Sequence, residues 1–155
     1  LKNDSAIYIF CNSENVDIFK QNIEKFFTIK NMIIWIKNNW TAGDLDAGFG
    51  KQYEIIFLAN KGRKKFCNNY RFQDVWYFDR VCGDAQIHQN QKPLLLIKRC
   101  IEIHSNPNDL ICDPFMGSGV TMKACKSLNR NFIGFEIENT WEYNYLNIQK
   151  QLIFS

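Results

Sequence analysis

Asp113-Pro114-Phe115-Met116-Gly117-Ser118-Gly119 follows the apolar run Leu110-Ile111-Cys112 and precedes a helically spaced segment from Val120 to about Leu128. A short buried strand, a glycine turn and a helix form the repeating unit of open α/β sheets, in which ligands bind where the strands end. Gly117 and Gly119 let a ligand approach the backbone with no Cβ in the way. A dinucleotide fingerprint would need a third glycine at the position of Met122, and a phosphate-binding loop would need Gly-Lys followed by Ser or Thr; the sequence has neither. Asp113, at the strand end, would repel a phosphate and attract an amine.

The next apolar run, Phe132-Ile133-Gly134-Phe135, ends in Glu136. That is roughly 20 residues beyond Asp113, the spacing at which an acidic side chain accepts hydrogen bonds from ribose hydroxyls. An adenosine carrying a cationic tail satisfies both carboxylates, and S-adenosylmethionine is such a molecule. The alternative for the same residues is a packing turn with Glu136 merely at the surface.

Working outward, Ala6-Ile7-Tyr8-Ile9-Phe10-Cys11 reads as a buried strand, and Val16, Phe19, Ile23, Phe26 and Phe27 then recur at the three- and four-residue steps of an amphipathic helix. Met32-Ile33-Ile34-Trp35-Ile36 and Tyr53-Glu54-Ile55-Ile56-Phe57-Leu58-Ala59 are further strands, joined through a glycine-rich loop at residues 38–50. Pro93 opens a helix reaching His104, since proline is tolerated in a first turn. A last helix is expected from Trp141 to Leu152. Strands alternating with helices imply one doubly wound α/β domain over residues 1–155, with a mainly parallel sheet covered on both faces. Residues 61–87 fit that rhythm least, and they mix Arg63, Lys64, Lys65 and Arg71 with Phe66, Tyr70, Phe72, Trp76, Tyr77 and Phe78.

Composition narrows the class. A chain of 155 residues with 46% hydrophobic and 15% aromatic residues has the bulk to bury one core. The run Leu94-Leu95-Leu96-Ile97 is broken by charge well short of the roughly 20 residues of a membrane span. Six cysteines without a C-x-x-C pair, and two histidines, give no metal-ligand spacing; reduced thiols and a cytoplasmic setting are expected. A net charge of +3 is too small to demand a polyanionic partner.

Three segments in one order resemble the beta class of S-adenosylmethionine-dependent DNA amino-methyltransferases, which act on N6 of adenine or N4 of cytosine. They are His88-Gln89-Asn90-Gln91-Lys92-Pro93, Asp113 through Thr121, and Asn131-Phe132-Ile133-Gly134-Phe135-Glu136-Ile137. The three upstream strands resemble those following the catalytic motif in that class, so the resemblance covers nearly the whole chain. It implies a Rossmann-like methyltransferase fold with S-adenosylmethionine as cofactor. Asp113 would meet the methionine end, with Pro114, Phe115, Met116, Gly117, Ser118, Gly119 and Thr121 wrapping the ligand. Glu136 would hold the ribose, Ile137 would border the adenine, and Lys92 with Pro93 would close the pocket near the methionine carboxylate. Residues 61–87 would be the target-recognition segment, with Arg63, Lys64, Lys65 and Arg71 on double-stranded DNA near the mouth of the cofactor cleft.

The family's catalytic motif is Asp, Asn or Ser followed by Pro-Pro and an aromatic residue, and it holds a base rotated out of the duplex. The three prolines here, Pro93, Pro107 and Pro114, are never adjacent. No catalytic residue is therefore assigned, and the sheet is expected to lack its central strand. The sequence-based expectation is a chain inactive by itself, whose motif comes from a preceding segment or a second chain. Two other readings stay open: a DNA-binding module without turnover, and a methyltransferase acting on RNA or a small molecule.

Overall fold

The computed structural model describes residues 1–41, 46–68, 71–82 and 91–137. In chain order the elements are β1 (Ser5–Cys11), α1 (Val16–Glu24), β2 (Thr28–Thr41), β3 (Lys51–Lys61), β4 (Val75–Tyr77), α2 (Leu94–His104), β5 (Leu110–Asp113), α3 (Val120–Ser127) and β6 (Asn131–Gly134). The expected last helix lies outside the described residues.

The strands form two sheets, one ordered β1-β3-β2-β4 and one pairing β5 with β6. β5 and β6 are parallel, as are β2 and β4. β3 departs from the parallel pattern, running antiparallel to both β1 and β2. The cause is local: parallel strands need a long crossover, commonly a helix, whereas the chain between β2 and β3 is a short glycine-rich loop that closes a hairpin. α1 carries the chain across from β1 to β2, and β3 fills the place between them. β4, which period reading had left as irregular chain, adds to the edge of β2 with Ile34 opposite Val75 and Ile36 opposite Tyr77.

Side-chain alternation divides the larger sheet into two packed faces. Cys11, Ile55, Phe57 and Ala59 face α1 and are buried with Ile23, while Val16, Phe19 and Phe27 pack around them. On the other face Ile33, Trp35, Ile56, Leu58 and Trp76 meet Leu96, Cys100 and Ile103 of α2. α2 presents a second stripe, Ile97 and Ile101, to Val120, Ala124 and Cys125 of α3. Phe10 of β1, Ile111 of β5 and Phe132 of β6 all pack against this second cluster, so one helix ties the two sheets together.

At the C-terminal end of α2, the Tyr8 hydroxyl and His104 Nδ1 are hydrogen-bonded at 2.7 Å, and the Phe66 ring lies 5.1 Å from the imidazole. Burial, helped by the nearby Lys64 ammonium, pushes the His104 imidazole down to about 4. An unfolded histidine titrates near 6.5, so between those values the unfolded chain binds the extra proton. The contribution of His104 to stability is then complete above about pH 6.5 and is lost as the pH falls toward 4. The expected outcome is a larger fall in Tm between pH 7 and pH 4.5 for the parent than for His104→Gln, measured by thermal melts. Equal falls would show that the imidazole is not held neutral by the fold.

Candidate cofactor site

β5 ends at Asp113, and the chain turns through Gly117 (φ 45°) and Gly119 (φ 67°) into α3. Both angles lie in the left-handed region open to glycine at little cost. The turn is stitched to the chain leaving β6: the Phe135 amide donates to the Asp113 carbonyl at 3.0 Å, and the Met116 amide to the Phe135 carbonyl at 2.9 Å. Gly134 makes this closeness possible, since a Cβ there would come within 2.5 Å of the Phe132 ring and 3.0 Å of Met116 Sδ.

Both expected carboxylates turn toward this loop. Glu136 Oε2 accepts from the Gly117 amide at 2.6 Å and its Oε1 from the Ile137 amide at 2.9 Å. Asp113 Oδ2 accepts from the Thr121 hydroxyl at 2.6 Å and Oδ1 from the Phe115 amide at 3.1 Å. A carboxylate offers about four lone-pair sites, so accepting from the protein and a ligand together is within its capacity. Ser118 and Gly119 are buried, whereas Pro114 is exposed. Phe115 at 87% and Ile137 at 97% exposure leave apolar surface uncovered beside the two acids. Asp113 through Gly119, Thr121, Glu136 and Ile137 thus form one constellation, and its donor set favours a ligand with hydroxyls and a cationic group over an anionic one.

Lys92 and Pro93 stand at the start of α2, and Ile97, one turn later, shares a buried cluster with Val120 at the start of α3. The Lys92 ammonium bonds Glu54 Oε2 at 2.7 Å and lies over the rings of Phe10 and Trp35 at 5.6 and 5.7 Å. Glu54 Oε1 meets Lys37 Nζ at 2.8 Å. Burial alone would raise the Glu54 carboxyl, but the charges and hydrogen bonds of Lys92 and Lys37 outweigh it and hold the carboxyl below its ordinary value. Period reading passed over Glu54 and Lys37; the available signal was a charge within each of two apolar strands. His88, Gln89 and Asn90 lie outside the described residues.

Arg63, Lys64 and Lys65 do not gather at this end, contrary to expectation, whereas Arg80, also within 61–87, donates its amide to Asn38 beside Lys37. Ser5 pairs with Lys61 and Cys11 with Ile55, so β3 carries the chain from Glu54 to the opposite end of the sheet, a run of roughly 24 Å at about 3.4 Å per residue. Arg63 donates its amide to Asp4 there, and the Cys67 amide bonds the Ile103 carbonyl at the far end of α2. Arg63, Lys65 and Arg71 are exposed, and Lys64 is half-buried. The antiparallel course of β3 is the physical reason for the displacement. Tyr70 is outside the described residues.

An open α/β fold with a glycine turn at a strand end is an arrangement in which nucleoside-type ligands bind. A family model described as DNA methylase, for N6 and N4 methyltransferases, matches residues 1–147, and the chain belongs to that family. It is 29% identical over 91% of its length to the DNA adenine methyltransferase YhdJ of Escherichia coli, and 31% identical over 91% to the type II methyltransferase M.HinfI of Haemophilus influenzae. It spans 59% and 45% of those two proteins. Among solved structures, the complex of M1.HpyAVI with S-adenosylmethionine is 31% identical, with a TM-score of 0.76 over 98% of this chain and 76% of that one. The cytosine-N4-specific PvuII DNA methyltransferase has the same fold at 14% identity, with a TM-score of 0.73 over 99% of this chain and 71% of its own.

Gly119 supplies a direct check on the turn. Gly119→Ala places a Cβ on a left-handed residue and should cost about 1–2 kcal/mol of stability, read from the urea midpoint. An unchanged midpoint would mean that the turn relaxes without its positive φ.

Proposed function

We propose that this chain holds S-adenosylmethionine for methyl transfer to the exocyclic amine of adenine or cytosine in double-stranded DNA. The observation that carries the reading is the convergence of Asp113 and Glu136 on one glycine turn. In the proposal Asp113 faces the cationic amino group, Glu136 the ribose hydroxyls, Phe115 and Ile137 the adenine, and Lys92 the methionine carboxylate. Met116 to Gly119 and Thr121 wrap the ligand, while Pro114 and Pro93 shape the two chain turns beside it. The bound cofactor supplies an electrophilic methyl group on a cationic sulfur. The protein's task is to orient that group toward an amine and exclude competing geometries, which requires neither a covalent enzyme intermediate nor a metal.

M1.HpyAVI, solved with S-adenosylmethionine, supports the cofactor assignment, and the names of the curated relatives support DNA as substrate. The sequence has no adjacent prolines. The proposal therefore assigns the holding of the flipped base to a segment or second chain supplied separately, and the chain alone is inactive. The cytoplasm is its proposed setting; among the described residues no helix is long and apolar enough to cross a membrane.

Calorimetric titration tests the cofactor site: Asp113→Ala and Glu136→Ala should each weaken S-adenosylmethionine binding about 10- to 100-fold, the range for a hydrogen bond to a charged group. Unchanged affinities would remove the assignment. Transfer of labelled methyl groups to DNA should be undetectable with the chain alone and appear once the base-holding segment is restored. Activity in the chain alone would overturn the division of labour, and DNA binding without transfer in the complemented protein would favour a module that binds without turnover.

Arg63, Lys64, Lys65 and Arg71 enter the proposal as phosphate-binding groups away from the reacting base, because a duplex extends well beyond the length of the sheet. Replacing all four with Ala in the complemented protein should flatten the dependence of log affinity on log salt by about 0.9 for each phosphate no longer neutralised. An unaltered slope would return them to the solvated surface.

A further inference from the structure

The cluster at the start of α2 holds one carboxylate and two ammonium groups. Glu54 lies on β3, Lys37 on β2, and Lys92 just before α2. The Glu54 oxygens are divided between the two lysines, at 2.8 and 2.7 Å. The three side chains are largely withdrawn from water, with exposures of 10% for Lys37, 21% for Glu54 and 24% for Lys92. Trp35, itself 1% exposed, forms the floor, with Lys37 and Lys92 at 5.4 and 5.7 Å from its ring, and its indole N–H is anchored on the Phe78 carbonyl at 2.8 Å. Such a cluster is expensive to desolvate and carries a net charge of +1, so it needs an anion from elsewhere. The carboxylates of the turn before α3 accept instead from the Thr121 hydroxyl and from the Phe115, Gly117 and Ile137 amides.

We propose that Glu54 is a positioning residue for the cofactor. It acts by fixing the Lys92 ammonium over Phe10 and Trp35, while Lys37 leaves the cluster one positive charge for the cofactor's carboxylate. The inference rests on the proposed contact between Lys92 and that carboxylate. Without Lys37 the Glu54 and Lys92 charges cancel. Without the Glu54 charge the two ammoniums repel each other across a shared ring and Lys92 leaves its place.

The test compares two ligands that differ by the amino-acid tail, amine and carboxylate together; the amine is assigned to Asp113, which none of the variants alters. S-adenosylhomocysteine keeps the amino-acid tail, and 5′-methylthioadenosine lacks it while retaining adenosine and the thioether. Glu54→Gln and Lys37→Met should each weaken S-adenosylhomocysteine binding on the order of tenfold and leave 5′-methylthioadenosine binding within about twofold of the parent. Lys92→Met is the control for the underlying contact and should show the same selectivity. If Lys92→Met discriminates between the ligands but Glu54→Gln and Lys37→Met do not, the positioning role is overturned and the Lys92 contact stands. If Lys92→Met itself fails to discriminate, the Lys92 contact falls and the inference falls with it. Equal weakening of both ligands by Glu54→Gln would assign Glu54 to fold maintenance and overturn the proposal. Should Glu54→Gln fail to fold, Glu54→Asp, which keeps the charge on a shorter stem and so displaces Lys92, carries the positioning comparison with the same expected selectivity, while Lys37→Met tests the charge balance alone.

Discussion

The burial of α2 on two sides is the constraint from which the rest of the structure follows. Leu96, Cys100 and Ile103 form one stripe and Ile97 and Ile101 the next, so a single helix is wedged between the larger sheet and α3. Full burial of each aliphatic side chain contributes about 1.5–3 kcal/mol, and no described hydrogen-bond ladder joins the two sheets directly. The position of the glycine turn relative to β1, β2 and β3 is thus a packing result. A rotation of α2 by one residue would exchange its stripes and move Lys92 off its aromatic floor.

Packing alone leaves a particular backbone condition between the sheets. β1 pairs with β3 on one side and β5 with β6 on one side, and among the described residues neither strand has a partner on its other side. Phe10 and Ile111, one from each strand, nevertheless touch the same α2 and α3 cluster. The side chains behave as neighbours in a continuous layer while the backbones do not. Open edges of this kind offer unpaired amide and carbonyl groups to another strand. β5 and β6 are also exposed on the face away from α2, through Leu110, Cys112 and Ile133.

The sequence made the turn legible because its chemistry is local. A strand end, two glycines and an acid are contiguous, and Glu136 stands at a spacing fixed by one helix and one strand. The same reasoning found β1, β2, β3, β5, β6 and all three described helices, since each has several apolar residues at one period. It missed β4, a three-residue strand whose identity comes from pairing with β2. Missed too was the partnership of Glu54 with Lys37 and Lys92, which is assembled from three segments that meet only after β3 reverses. That reversal also defeated the placement of Arg63 to Lys65: chain order put them before Lys92, and the antiparallel strand took them to the other end of the sheet. Periodicity says which face a residue occupies; it does not say which end of a strand the chain leaves from.

The two charge groups near the starts of α2 and α3 are of opposite kind, and the proposed cofactor would span both. Asp113 and Glu136 are acids whose hydrogen bonds come mainly from backbone amides and the Thr121 hydroxyl. Lys37 and Lys92 are cations whose charge is only half offset by Glu54. A ligand that is cationic at one group and anionic at another meets complementary fields in one orientation and repulsion in the reverse one. An amino-acid tail on a nucleoside has that asymmetry, whereas a phosphate tail would be repelled at Asp113 in every arrangement that uses the turn. In the proposed cofactor assignment the fold is turned toward a zwitterion by a carboxylate at the glycine turn and a compensating cation, Lys92, just before a different helix.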